Sequence, residues 1–129
     1  MWHNSDMPTS PNKIFINKDD LVEIELFGNQ DLATIESLVA QVRALTDQLK
    51  KKGKSLRLIA NMSQLGAGTA RMRRYAAEQL KSLPLDRFAL YGGSPFMRNV
   101  SKFIIVAAGK GHTVKTFNTR EEALGWLLE

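Results

Sequence analysis

Two short segments hold the residues whose types and spacing suit chemistry. The first is Gly66-Ala67-Gly68-Thr69, followed by Arg71, Arg73 and Arg74. A hydroxyl at a helix start beside guanidinium groups is a candidate phosphoacceptor. A phosphate on Thr69 would add roughly −1.5 to −2 charges there. The same arginines are candidates for holding an anion or an acidic partner, because Arg pairs well with phosphate and carboxylate. Helical spacing fans residues 71, 73 and 74 over different faces, so all three do not converge on one ligand. The plainer role for Thr69 is a helix cap, its oxygen accepting from a free backbone N–H. The second segment is Gly92-Gly93-Ser94, with Arg98 one turn further on. It is expected between a strand and a helix, where open α/β sheets often bind ligands. It matches neither the GxxxxGK[ST] loop nor the GxGxxG fingerprint. Gly109-Lys110-Gly111-His112-Thr113 superficially resembles a phosphate loop but ends a helix instead of opening one.

Other catalytic patterns are missing. There is no cysteine, so thiolate catalysis, disulfides and Cys-based zinc sites are excluded. The two histidines, His3 and His112, form no cluster for a metal. No GxSxG elbow occurs. Asp19-Asp20 and Glu121-Glu122 are explained by a turn and a helix start. A lone His112 with a distant carboxylate is the one enzymatic arrangement left open. The expectation is a protein with no catalytic residues, no metal and no cofactor.

The 129 residues suit one domain with one core. Residues 1–11 read as a flexible tail and residues 12–129 as the domain. No secretory leader is visible, and the longest apolar run, Phe103–Ala108, is far too short to span a membrane. A cytoplasmic protein is expected. The net charge is +5 and the pI near 9.7. Residues 1–42 carry two Lys and seven Asp or Glu; residues 43–129 carry 16 Lys or Arg and six Asp or Glu. A basic surface of this kind fits acidic partners.

Periodicity supplies the elements that position these segments. Ile14–Ile16 and Leu21–Phe27 read as a hairpin around a polar turn, with Glu23 and Glu25 on the solvent side of the second strand. Asp31 or Asn29 caps a helix with Leu32, Ile35, Leu38, Val39, Val42, Leu45 and Leu49 along one stripe. Lys50, Lys51 and Lys52 suit its C-terminal end, and Gly53 ends it. Leu56–Ala60 is a central strand. Thr69–Leu83 is a helix with Met72, Tyr75 or Ala76, and Leu80 inward, stopped by Pro84. Asp86–Tyr91 is a strand. Ser94-Pro95 opens a helix burying Phe96, Val100, Phe103, Ile104 and Ala107. Thr113–Phe117 is the last strand. Thr119 and Glu122 form a capping box for a final helix burying Ala123, Trp126 and Leu127. The order β-β-α-β-α-β-α-β-α predicts an α/β fold: a mixed, mostly parallel sheet with an N-terminal antiparallel hairpin and packed helices.

The stretch Val114-Lys115-Thr116-Phe117-Asn118-Thr119-Arg120-Glu121-Glu122-Ala123-Leu124-Gly125-Trp126-Leu127 resembles the C-terminal end of SpoIIAA-like STAS domains, the anti-sigma-factor antagonist family. Asp86-Arg87-Phe88-Ala89-Leu90-Tyr91-Gly92, after a helix with Arg74-Tyr75-Ala76, is similar as well. The resemblance implies a non-enzymatic regulatory module that binds protein partners, such as a kinase or another regulator. In the antagonists a Ser or Thr after the third strand, in an Asp-Ser-Ser-Gly-like motif, is phosphorylated. Here that segment reads Asn61-Met62-Ser63-Gln64-Leu65-Gly66-Ala67-Gly68-Thr69, without Asp-Ser-Ser. Thr69 is the nearest counterpart. The expected contact surface is Gly66–Arg74 with Gly92–Arg98, to which Phe96, Met97 and Tyr91 add apolar area.

Two other functions stay open. A carrier of a small apolar or anionic ligand would use the helices bearing Met72, Met97, Phe96 and Phe103, since Met fits irregular cavities. A pocket of roughly 300 Å³ or more would favour it; a filled core would favour the module. Nucleic-acid binding through the basic surface would weaken steeply with salt, and the core is expected to occupy the few aromatics. A monomer and a homodimer are equally compatible with the sequence.

Overall fold

The structure is a computed structural model describing residues 12–66 and 68–129. The tail expected over residues 1–11, with Trp2 and His3, lies outside the described residues, as does Ala67. The elements run β1 (Lys13–Ile16), β2 (Val22–Gly28), α1 (Leu32–Lys51), β3 (Arg57–Leu65), α2 (Ala70–Ser82), β4 (Arg87–Tyr91), α3 (Pro95–Ala107), β5 (Val114–Phe117) and α4 (Arg120–Leu127). This is the order predicted from the sequence.

The five strands lie in the order β1-β2-β3-β4-β5. β1 pairs antiparallel with β2, and every later pair is parallel. The hairpin closes on Asn17, whose Oδ1 accepts from the N–H of Asp19 (2.9 Å) and Leu21 (3.1 Å). From β2 onward each strand is laid beside the last in one direction. Right-handed crossovers then place α1, α2 and α3 on one sheet face and leave the other to α4. The core follows that division. Val22, Ile24, Leu26, Leu58 and Ala60 pack with Ile35, Leu38, Val42 and Leu49 of α1 and Met72 of α2. Leu80, Ile105 and Val114 continue that layer. Leu21, Ile59 and Ala89 meet Ala123 and Leu127 of α4 on the opposite face.

Local signals set the helix ends. Asp31 is the N-cap of α1, accepting from Thr34 N at 2.8 Å. Gly53, at φ +69, turns the chain after Lys52. In α4 the Thr119 Oγ1 accepts from Glu122 N at 3.2 Å, and Glu122 Oε1 accepts from Thr119 N at 3.1 Å. Thr119→Ala is expected to cost about 1 kcal/mol in urea unfolding, because one helix donor loses its partner. A change within error would place the anchorage of α4 at its other end, where Arg57 donates to the Leu127 carbonyl and Arg87 to that of Trp126.

Three expectations need correction. β2 is buried on both faces, because Arg120 at the start of α4 and Asn17 close over Glu23, which is only 9% exposed. β3 runs on through Asn61–Leu65, past the end expected at Ala60, since Phe27 and Gly28 of β2 pair with Gln64 and Leu65. The buried stripe of α3 is Met97, Ser101 and Ile105, with Val100 and Ile104 half-buried. Phe96 (64%), Phe103 (77%) and Ala107 are exposed instead. Both phases satisfy a helical period. The entry of the chain from Gly93 fixes the actual one.

Candidate functional site

β3 and β4 are neighbours, so the segments that follow them lie side by side at the carboxyl ends of the strands. Their sequences share a plan. Gly68-Thr69-Ala70-Arg71-Met72-Arg73 opens α2, and Gly93-Ser94-Pro95-Phe96-Met97-Arg98 opens α3. Gly68 (φ +69) and Gly93 (φ +77) take left-handed conformations that side chains resist. Thr69 Oγ1 accepts from Met72 N at 3.0 Å, and Ser94 Oγ accepts from Met97 N at 3.1 Å. Met72 and Met97 are buried beneath. Arg73 Nη1 donates back to the Gly68 carbonyl at 3.4 Å, and Arg98 Nη1 to that of Gly93 at 2.7 Å. The recurring Gly-(Thr/Ser)-x-x-Met-Arg was the legible sequence signal of this shared construction.

The predicted site residues therefore divide. Thr69 and Ser94 are caps and both are exposed. Arg73 and Arg98 brace their own loops. Arg71 and Arg74 point to solvent, so the three arginines of α2 do not converge. Gly92 (φ +77) lies flat against a bulge in β3, where Ser63 N donates to Asn61 Oδ1 at 2.9 Å. A Cβ on Gly92 would meet Ser63 Oγ at 2.6 Å. Tyr91 is half-buried on the α4 face, and Met97 is buried, so neither adds free apolar area at the turn. Phe96 does, and Phe103 and Val106 extend it along α3.

The electrostatics are one-sided. Neither α2 nor α3 carries an acidic residue in its first turn, where the helix dipole favours one. Residues 87–120 hold six Lys or Arg and no Asp or Glu. By contrast α4, on the other face, starts with Glu121 and Glu122. The two helix starts thus present uncompensated positive ends.

Sequence reasoning missed an ion pair. Arg120 Nη1 and Nη2 donate to Glu23 Oε2 (2.5 Å) and Oε1 (3.2 Å), and Asn17 Nδ2 donates to Glu23 Oε1 at 2.9 Å. Arg120 Nη1 also lies 3.5 Å from the Tyr91 hydroxyl. Burial pushes the Glu23 carboxyl up, but the Arg120 and Asn17 hydrogen bonds outweigh it and hold the group below its ordinary value. The Arg120 guanidinium is raised, chiefly by its bond to Glu23. The pair joins β2 to α4 and is not at the carboxyl ends of the strands.

A cavity of about 170 Å³ lies between the sheet and α1, α2 and α3. It is smaller than the roughly 300 Å³ expected of a carrier, yet the core is not filled. Among the described residues no group of three His, Asp or Glu comes together, and no helix is long and apolar enough to cross a membrane.

No family model matches the sequence, and no curated protein matches it. Solved structures do. An anti-sigma factor antagonist from Mycobacterium paratuberculosis superposes with a TM-score of 0.63 at 15% identity, over 95% of this chain and 98% of that one. An uncharacterized protein from the DUF3478 family with a SpoIIAA-like fold, from Shewanella loihica, gives 0.60 at 14%, over 90% and 91%. The Bacillus cell fate determinant SpoIIAA in its phosphorylated form gives 0.54 at 23%, over 89% and 97%. The chain has the SpoIIAA-like fold that its sequence resemblance implied.

Proposed function

We propose that the chain is a regulatory protein-binding module. It acts without chemistry of its own and engages an acidic protein surface through the paired starts of α2 and α3. One observation carries this reading: two helix N-termini of common construction lie side by side, with cations where the dipole calls for anions. Arg71 and Arg74 supply exposed charge there, and Phe96 supplies apolar area. The structures that share the fold include an anti-sigma factor antagonist, which agrees with a regulatory role.

Thr69 is the proposed point of control. Its hydroxyl is exposed and already sits at the N-terminus of α2. A phosphate there would meet the positive end of the helix beside Arg71 and offset much of the positive charge of the contact surface. The related SpoIIAA structure in a phosphorylated form supports the comparison. The test is the intact mass of the protein recovered from its own cells. One phosphate on the wild type and none on Thr69→Ala is the expected result. A bare mass under every growth condition would remove the switch, while leaving the contact surface to be tested by charge reversal.

A further inference from the structure

We infer that the cavity beneath α2 is a binding site for a small apolar molecule of about six to nine non-hydrogen atoms, and that its occupancy orders the Gly68–Met72 segment. The inference deepens the proposed function, since it names a regulator of the same contact surface.

The lining decides the chemistry of the occupant. Of the side chains around the cavity only Gln30, Gln79 and Ser101 are polar, and each is already bonded elsewhere. Gln30 Nε2 donates to the Phe27 carbonyl at 2.9 Å, and its Oε1 accepts from Asn12 at 2.7 Å. Gln79 Oε1 accepts from Arg43 at 2.8 Å. Ser101 Oγ donates to Met62 Sδ at 3.1 Å. Water needs two to four polar partners to occupy such a space, and these three side chains already direct at least one bond each elsewhere. An apolar cavity of about 150 Å³ stays dry and takes up benzene or xenon; this one is about 170 Å³.

The position decides the consequence. Leu65, Gly66 and Met72 line the cavity; Leu65 is the last residue of β3, and Gly66 follows it three positions before the Thr69 cap. Met72 is tied to the cap through its own N–H. Its Cε also fills the space where a Cβ on Gly68 would stand. A molecule held against Met72 and Leu65 thus braces the loop from beneath. Binding that orders this segment changes partner affinity, and the partner changes ligand affinity by the same factor.

The test uses the full chain with benzene, toluene and indole as probes, and phenol as a polar counterpart. Thermal unfolding should shift upward by several degrees with the apolar probes and by less with phenol. Ala76→Leu fills the cavity and should remove the shift; Val100→Leu serves if that variant does not fold. Amide hydrogen exchange over residues 68–74 should slow when toluene is present. No shift with any probe, or an equal shift in the filled variant, overturns the site. A shift without slowed exchange in residues 68–74 overturns the coupling. Neither readout involves the protein partner, so failure here is separate from failure of the binding-module reading.

Discussion

Replacing Glu23 by Ala is expected to cost about 2–4 kcal/mol, read from urea unfolding at pH 7. Glu23 is nearly enclosed, while Arg120 is about one-third exposed. Breaking a buried pair costs about 3–5 kcal/mol because a charge is left without its partner. The partial exposure of Arg120 lets water recover some of that. The loss corresponds to roughly 3–5 °C in Tm per kcal/mol for a domain of this size. The pair also sets a pH dependence. Its folded carboxyl titrates below the ordinary value, so the unfolded chain binds the proton first as pH falls. The stabilisation is complete above about pH 5, and it disappears as pH drops through the folded value. The advantage of wild type over Glu23→Gln should therefore shrink steadily below about pH 4. An advantage that is flat down to pH 2 would show that the carboxylate charge contributes nothing.

The second large effect lies at Ile59→Ala, with an expected loss of about 3 kcal/mol by the same measurement. Ile59 is fully buried at the centre of β3, between Leu21, Ala89, Ala123 and Leu127. Among the described residues α4 is the one helix on that face, and Ala123 and Leu127 are its two buried residues. The vacated volume cannot close without moving α4 away from Arg57 and Arg87, which bind its last carbonyls. A loss under 1 kcal/mol would mean that α4 slides inward freely and that those arginines do not fix it.

What the sequence made legible was local. Ser94 and Thr119 act within three residues of their partners, so cap type and spacing were enough to find them, while for α1 they left Asp31 and Asn29 open. The element order followed from periodicity, and with it the adjacency of the two candidate segments. What stayed hidden depended on distant chain. Glu23 reads as a solvent-facing strand residue until Arg120, 97 positions away, is brought over it. The α3 stripe was assigned one residue out of phase, because Phe96 and Phe103 repeat with the same spacing as the residues that are buried. β3 extends past Ala60 because the end of β2 pairs with it, a constraint absent from β3's own composition. The roles of Arg73 and Arg98 were hidden for another reason. Their cationic ends suggest ligands, but each is turned back onto the glycine carbonyl before its helix.

The paired helix starts unite the fold with the proposed activity. Parallel strands bring them together, glycines at positive φ shape the entries, and a basic stretch free of acid surrounds α3. The most direct test is quantitative capture of partner protein from the source cells by three forms of the full chain. These are wild type, Arg71→Glu with Arg74→Glu, and Lys50→Glu with Lys51→Glu as a control of equal charge change at the far end of α1. The expected result is one partner retained by wild type and by the α1 control, and reduced at least tenfold by the α2 variant. Equal loss in both variants, or retention by the α2 variant, would contradict a contact surface at the starts of α2 and α3.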